Sequence, residues 1–137
     1  MHLILIPADA VPKLWHMAAK LLEICTSRTH GATTPEAELQ HIMASKKQLW
    51  LIVDQDTKAD PLAAGITSLQ KNEDGSLTAN IEFLGGENMK QWFSLKGTFE
   101  DWAKAEGCSD IRLWARKGWA RHLDDFTITH YMMRKEL

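Results

Sequence analysis

Two hydrophobic periods alternate along the chain, and each change of period marks a change of element. Leu3–Ile6 is a short apolar run closed by Pro7. It has no basic start and is too short for a leader, so it predicts a first strand. Val11, Leu14, Trp15, Ala18, Leu22 and Cys25 then recur at the spacing of an amphipathic helix. Asp9 is placed to cap that helix, Pro12 falls in its first turn, and His30-Gly31 stops it near Arg28. Thr34-Pro35 starts a shorter helix as N-cap and first residue. Glu36 and Glu38 lie near its positive end, and Leu39, Ile42 and Met43 form its buried stripe.

The period then drops to two. Leu49–Val53 is a compact apolar strand, Leu62–Gln70 a second with a bulge expected at Gly65, and Leu77–Leu84 a third. Asn72-Glu73-Asp74-Gly75 turns the last two into a hairpin, because Asp-Gly supplies the positive φ a tight turn needs. Helical spacing returns from Asn88 to Glu106 through Met89, Trp92, Leu95, Phe99, Trp102 and Ala103, with Gly97 inside it and Gly107 as its stop. Ile111–Ala115 is a strand, Gly118–Leu123 a short helix or turn, and Thr127–Met133 a closing strand. The order β-α-α-β-β-β-α-β-α-β joins an antiparallel meander to a later β-α-β unit, which makes an α/β fold with a mixed, mostly antiparallel sheet.

Without repeats or linkers, the 137 residues read as one domain spanning 1–137, and 45% hydrophobic content suffices for a core without disulfides or a metal. The net charge of −2 provides no field for nucleic acid or an anionic membrane, so neither is expected as a partner. Cys25 and Cys108 fall on apolar helix stripes and read as small buried thiols, with a reducing cytoplasm or a cytosol-made particle as the setting. The six histidines are scattered without zinc spacing, so no metal is expected.

This element order resembles the GNAT fold, that of the GCN5-related N-acetyltransferases. Leu84-Gly85-Gly86, Trp92, Trp102-Ala103, Gly107-Cys108 and the run Arg116-Lys117-Gly118-Trp119-Ala120-Arg121-His122-Leu123 are similar to small GNAT-like proteins encoded by phages and prophages, found among virion assembly genes. The residue-level likeness covers about the last third of the chain; the first half agrees only in element order.

The resemblance implies acetyl-CoA as cofactor, its thioester in a gap where the strand before the long helix parts from its neighbour. Backbone N–H groups at that helix's start would hold the pyrophosphate. The matching residues are Leu84, Gly85, Gly86, Asn88 and Lys90; the family's loop arginine is missing, and the acidic Glu87 falls where a phosphate would bind.

Acetyl transfer to an amine needs a base for the attacking nitrogen and often an acid for the leaving thiolate. Period-two alternation puts Thr78, Asn80 and Glu82 on one face and Ala79, Ile81 and Phe83 on the other. Glu82 is thus the candidate base, set against its reading as a solvated surface glutamate. His122 is the candidate acid where the family commonly keeps a tyrosine, set against an ordinary exposed histidine. Arg112, Arg116, Lys117, Trp119 and Arg121 form the densest basic patch, suited to a phosphate or a protein partner. Trp15, Trp50, Trp92 and Trp102 read as core; exposure of Trp114 or Trp119 would favour docking.

Two functions therefore stand side by side. One is an acyl-CoA-dependent N-acyltransferase acting on a small-molecule or protein amine. The other is a catalytically silent phage accessory or virion protein that touches a protein partner through the region from Arg112 to Arg121.

Overall fold

A computed structural model describes residues 1–54, 56, 60–86, 93–115 and 117–137, with backbone only at 117 and 120. Five strands form one sheet in the order in which they occur: β1 (His2–Ile6), β2 (Lys47–Val53), β3 (Ala63–Lys71), β4 (Leu77–Gly86) and β5 (Asp110–Leu113). The first four pair antiparallel, and β5 joins β4 in parallel. Three helices, α1 (Val11–Ser27), α2 (Pro35–Met43) and α3 (Lys96–Ala105), complete the described α/β architecture.

Strand alternation sends side chains to both faces, and each face has its own core. On one, Val11, Ala18 and Leu22 of α1 and Ile42 of α2 pack with Leu49, Leu51, Ala64 and Ile66. On the other, Phe99 of α3 packs with Leu3, Trp50, Ile52, Ala63, Ile81 and Leu84. The Trp50 ring lies 4.9 Å from Phe99 and 5.3 Å edge-on from Trp102. Its Nε1–H donates to Thr67 Oγ1 at 2.9 Å, and that hydroxyl donates to Gln48 Oε1 at 2.9 Å, so the polar groups this core covers are matched.

Several expectations are corrected. Asp9 does not cap α1: it lies in a 3-10 turn, Ala8–Ala10, that runs into the helix, and Ala10 holds the cap position. Thr34 does cap α2, accepting from Ala37 N–H at 3.2 Å. Met43, at the end of α2, is exposed, and Glu38 takes its place on the buried stripe one turn before Ile42. Helix α3 begins at Lys96 after a 3-10 turn at 93–95, so Gly97 stands in the first turn rather than mid-helix. Cys108 lies beyond the end of α3 and is half-buried, off any helix stripe.

Two further differences bear on function. The bulge falls not at Gly65 but where Ile66 faces Phe83 and Thr67 faces Ile81, leaving Glu82 as an extra residue in β4. Alternation resets there, so Phe83 packs on the α1 face while Ile81 packs on the α3 face. In addition, Thr127–Met133 forms no strand. Its residues are of strand type, but a strand exists only in a ladder, and no described strand pairs with them.

Candidate functional site

The β4–β5 ladder is short. Thr78 to Ile81 pair with Asp110 to Leu113, Trp114 N–H reaches Ile81 O at 3.4 Å, and the pairing stops. Beyond it β4 continues through Glu82 to Gly86, with no described residue laddered to it on the β5 side. That free stretch begins at the bulge. Glu82 is thus the first residue past the point where the parallel strands part company.

The bulge aims Glu82 towards α2. Its Oε1 lies 3.2 Å from Lys47 Nζ, at the start of β2, while its Oε2 is buried without a hydrogen-bond partner among the described residues. Lys47 Nζ also donates to both oxygens of Glu38, at 2.9 and 3.2 Å. Glu38 is 2% exposed and takes a further bond from Thr33 Oγ1 at 2.8 Å. His41 Nδ1 stands 3.6 Å from the same carboxylate. A cation between two carboxylates is the arrangement that makes such burial tolerable. Burial opposes the charge on Lys47, but the hydrogen bond to Glu38 and the charges of Glu82 and Glu38 outweigh it, so the ammonium pKa is raised. Lys47 also lines a cavity of about 320 Å³ with Leu5, Ile6, Ile42, Ser45 and Leu49.

Leu84, Gly85 and Gly86 form the free end of β4, where the resemblance placed the cofactor, but local packing already accounts for both glycines. A Cβ on Gly85 would meet Leu21 O at 2.4 Å and Cys25 Sγ at 2.7 Å, because α1 crosses the strand there. Gly86 has φ +149°, and a Cβ would press on Leu62 O and Ala63. The Cys25 thiol donates to Leu84 O at 3.2 Å. Burial pushes the Cys25 pKa up more than that bond and the charge of Arg28 pull it down, so the thiol stays protonated.

Among the described residues, the remaining candidates make their contacts away from Glu82. His122 is exposed and stacks on Phe93, 5.0 Å between ring centres, and half-buried Trp119 meets the same ring edge-on at 5.7 Å. Arg112 pairs with Asp110 at 3.2 Å, and Arg121 Nε–H donates to Gly118 O at 3.3 Å; both are exposed. Lys117 opens the 3-10 turn Lys117–His122. Asn88, Lys90, Arg116 and Trp92 lie outside the described residues. Trp114 is 63% exposed. No group of three or more metal-ligand side chains occurs among the described residues, and no described helix is long and apolar enough to cross a membrane.

Glu38 and Lys47 are the site residues that sequence reasoning missed. The signal was present: Glu38 lies four residues before Ile42 on the stripe, and Lys47 stands at the foot of an apolar strand. Only the tertiary packing shows that Lys47 meets Glu82 and joins it to Glu38.

Neither protein-family models nor curated proteins match the chain. Solved structures do. A Bacillus halodurans protein crystallised as a tetramutant superposes with a TM-score of 0.71 at 13% identity, covering 100% of both chains. An acetyltransferase of Trypanosoma brucei gives 0.68 at 14% identity over 99% of each chain. Glucosamine-6-phosphate N-acetyltransferase from Arabidopsis thaliana gives 0.68 at 15% identity over 98% of this chain and 97% of that one.

Proposed function

We propose that this chain, which has the fold of the GNAT acetyltransferases, is an acyl-CoA-dependent N-acyltransferase whose acceptor amine meets Glu82. The observation that carries the reading is the end of the β4–β5 ladder at Ile81 and Leu113, with a bulged carboxylate immediately beyond it. The free edge from Glu82 to Gly86 fits the amide-bearing arm of an acyl thioester, since unpaired strand backbone is what such amides recognise. Leu84, Gly85 and Gly86 would line that arm, and Asn88 and Lys90 would meet the phosphates. When bound, the group supplies an activated acyl carbon.

The chain's own residues then divide the work. Lys47 holds Glu82 Oε1 and so orients the carboxylate that would accept a proton from the amine. Glu38, fixed by Thr33 and Lys47, keeps Lys47 charged and in place. His122, stacked on Phe93, is kept as candidate acid on its sequence position alone.

The test is calorimetric titration with acetyl-CoA and desulfo-CoA, followed by acetyl transfer to a panel of amines. The expected result is micromolar binding that Lys90→Glu abolishes. Glu82→Gln should keep the binding and lose transfer by at least about a hundredfold, as for removal of a general base. A bulky residue at Gly86 is no probe, because packing forbids it with or without cofactor. Absence of binding at millimolar cofactor overturns the enzyme reading.

One observation favours the docking alternative: Trp114, beside the basic run, stands in solvent. The kinship with phage-encoded proteins rests on the sequence likeness of the last third alone.

A further inference from the structure

Neither oxygen of the Glu82 carboxylate is open to a ligand. Oε2 is buried without a hydrogen-bond partner among the described residues, and Oε1 stands 3.2 Å from Lys47 Nζ. A ligand that binds this carboxylate has Oε1 to bind, and an amine of the protein itself is already there. A second ammonium on the same oxygen would sit against the first, and like charges that close repel. The newcomer has to take the place of Lys47.

Lys47 is built to yield it. Its Nζ donates to both oxygens of Glu38, at 2.9 and 3.2 Å, so it keeps two bonds after losing its contact with Glu82. A flexible stem with three rotatable donors allows the change without moving the backbone. Glu38 is the fixed end of the arrangement: it is 2% exposed, lies on the buried stripe of α2 and accepts from Thr33 Oγ1 at 2.8 Å. Glu82 is the accessible end, 23% exposed and carried on the bulge of β4. Two carboxylates share one lysine, so withdrawal of Lys47 to Glu38 leaves Glu82 short of a positive charge. A partly buried carboxylate without a cation is costly, and an incoming ammonium cancels that cost.

We propose, resting on the reading of Glu82 as the residue the acceptor meets, that Lys47 is a built-in stand-in for the acceptor: an aliphatic ammonium displaces it from Glu82 Oε1 while Glu38 retains it. No covalent bond changes in the exchange; one cation replaces another on the same oxygen. The acceptor class narrows to amines that are cationic at neutral pH, as alkylamines of lysine type are. An aromatic amine, neutral there, brings no charge to the vacated carboxylate, and an alcohol brings none either. Lys47 also sets a threshold, because a ligand enters by binding Glu82 better than the lysine does.

The full chain is titrated with n-propylammonium and with aniline at neutral pH, without and with desulfo-CoA. Nuclear magnetic resonance follows the side-chain carboxyl signals of Glu38 and Glu82 and the Lys47 ammonium. The expected result is that propylammonium moves the Lys47 and Glu82 signals and leaves that of Glu38 nearly in place, while aniline moves none. In the double variant Lys47→Met, Glu38→Leu, with its fold checked by circular dichroism, the competitor is gone. Propylammonium should then bind at least about tenfold more tightly. Binding that leaves Lys47 on Glu82 overturns the proposal, as do an equal response to aniline and an absence of binding in both cofactor conditions. A folded double variant that binds no more tightly than the natural chain also overturns it; if the variant does not fold, the natural chain decides alone. Displacement of Lys47 without acetyl transfer keeps the exchange and sinks the acyltransferase reading, and transfer with Lys47 still on Glu82 does the reverse.

Discussion

Lys47 Nζ stands 3.2 Å from Glu82 Oε1 and 2.9 Å from Glu38 Oε2, so one side chain at the foot of β2 fastens the bulge of β4 to helix α2. Two carboxylates far apart in the chain depend on this cation. Its removal leaves the 2% exposed Glu38 carboxylate with only Thr33 and His41 beside it among the described side chains.

Lys47→Met is expected to destabilise the fold strongly. Breaking a fully buried pair costs about 3–5 kcal/mol, and 17% exposure of Lys47 places the loss at the lower end. Adding Glu38→Leu should recover most of it, because an apolar pair of similar volume replaces the stranded charge. Urea denaturation at neutral pH, with an unchanged denaturant slope, checks both.

The same cluster sets a pH dependence. The Lys47 pKa is raised above 10.5 in the folded state, so folding binds the proton more tightly than unfolding does. Its contribution is complete below pH 10.5 and is lost as pH climbs through the raised value. Stability curves from pH 9 upward should fall more steeply for the natural chain than for Lys47→Met. Parallel curves would remove Lys47 from the account.

At acid pH the exposed pair Lys96–Asp125 behaves in the opposite sense. The hydrogen bond from Lys96 holds the Asp125 carboxyl below its ordinary 3.8, so this tether persists above that value and is lost as pH falls through the depressed one. Chemical shifts of the Asp125 carboxyl followed through an acid titration, with Lys96→Met as the reference, should show the depression vanish in the variant.

Glycines in this chain separate by role. Gly85→Ala must push α1 away from β4, since its Cβ would lie 2.4 Å from Leu21 O, and a loss of about 1–3 kcal/mol is expected. Gly97→Ala meets nothing within 4 Å in the first turn of α3 and should gain up to about 1 kcal/mol. Thermal melts of the two variants should move in opposite directions.

The elements were legible because their hydrophobic periods are strong. Helix α1, the Thr34 cap, the hairpin at Gly75 and the three-strand meander β2–β3–β4 all follow from local residue patterns. The site was legible only in part. Glu82 is visible as a carboxylate on a strand, but Lys47 reaches it, and Glu38 reaches Lys47, through packing between elements distant in the chain, which no local pattern encodes. Period-two counting also misplaced Phe83, because a bulge breaks the count without leaving a glycine as a sign. The glycines at 85 and 86 suggested a phosphate cradle; in the structure they answer first to α1 and to the start of β3.

The polar chain under α3 yields another test. Thr67→Val leaves the Trp50 Nε1–H, on a side chain 2% exposed, without its acceptor, at a cost of about 1–3 kcal/mol. Thr67→Ser restores the hydroxyl and should recover most of the loss. Equilibrium unfolding followed by tryptophan fluorescence reads both.

The extra residue in β4 also decides where this chain can tolerate changes of length. Ile81 and Leu84 are seated under α3, Phe83 under α1, and Glu82 is the single residue that lets both seatings hold. A one-residue deletion anywhere from 79 to 84 would straighten the strand and turn one half of it inside out, whereas the same deletion in the turn at 73–75 would only retie a solvent-exposed loop. In descendants of this gene, insertions and deletions should therefore accumulate at the hairpin and be purged from the strand that follows it.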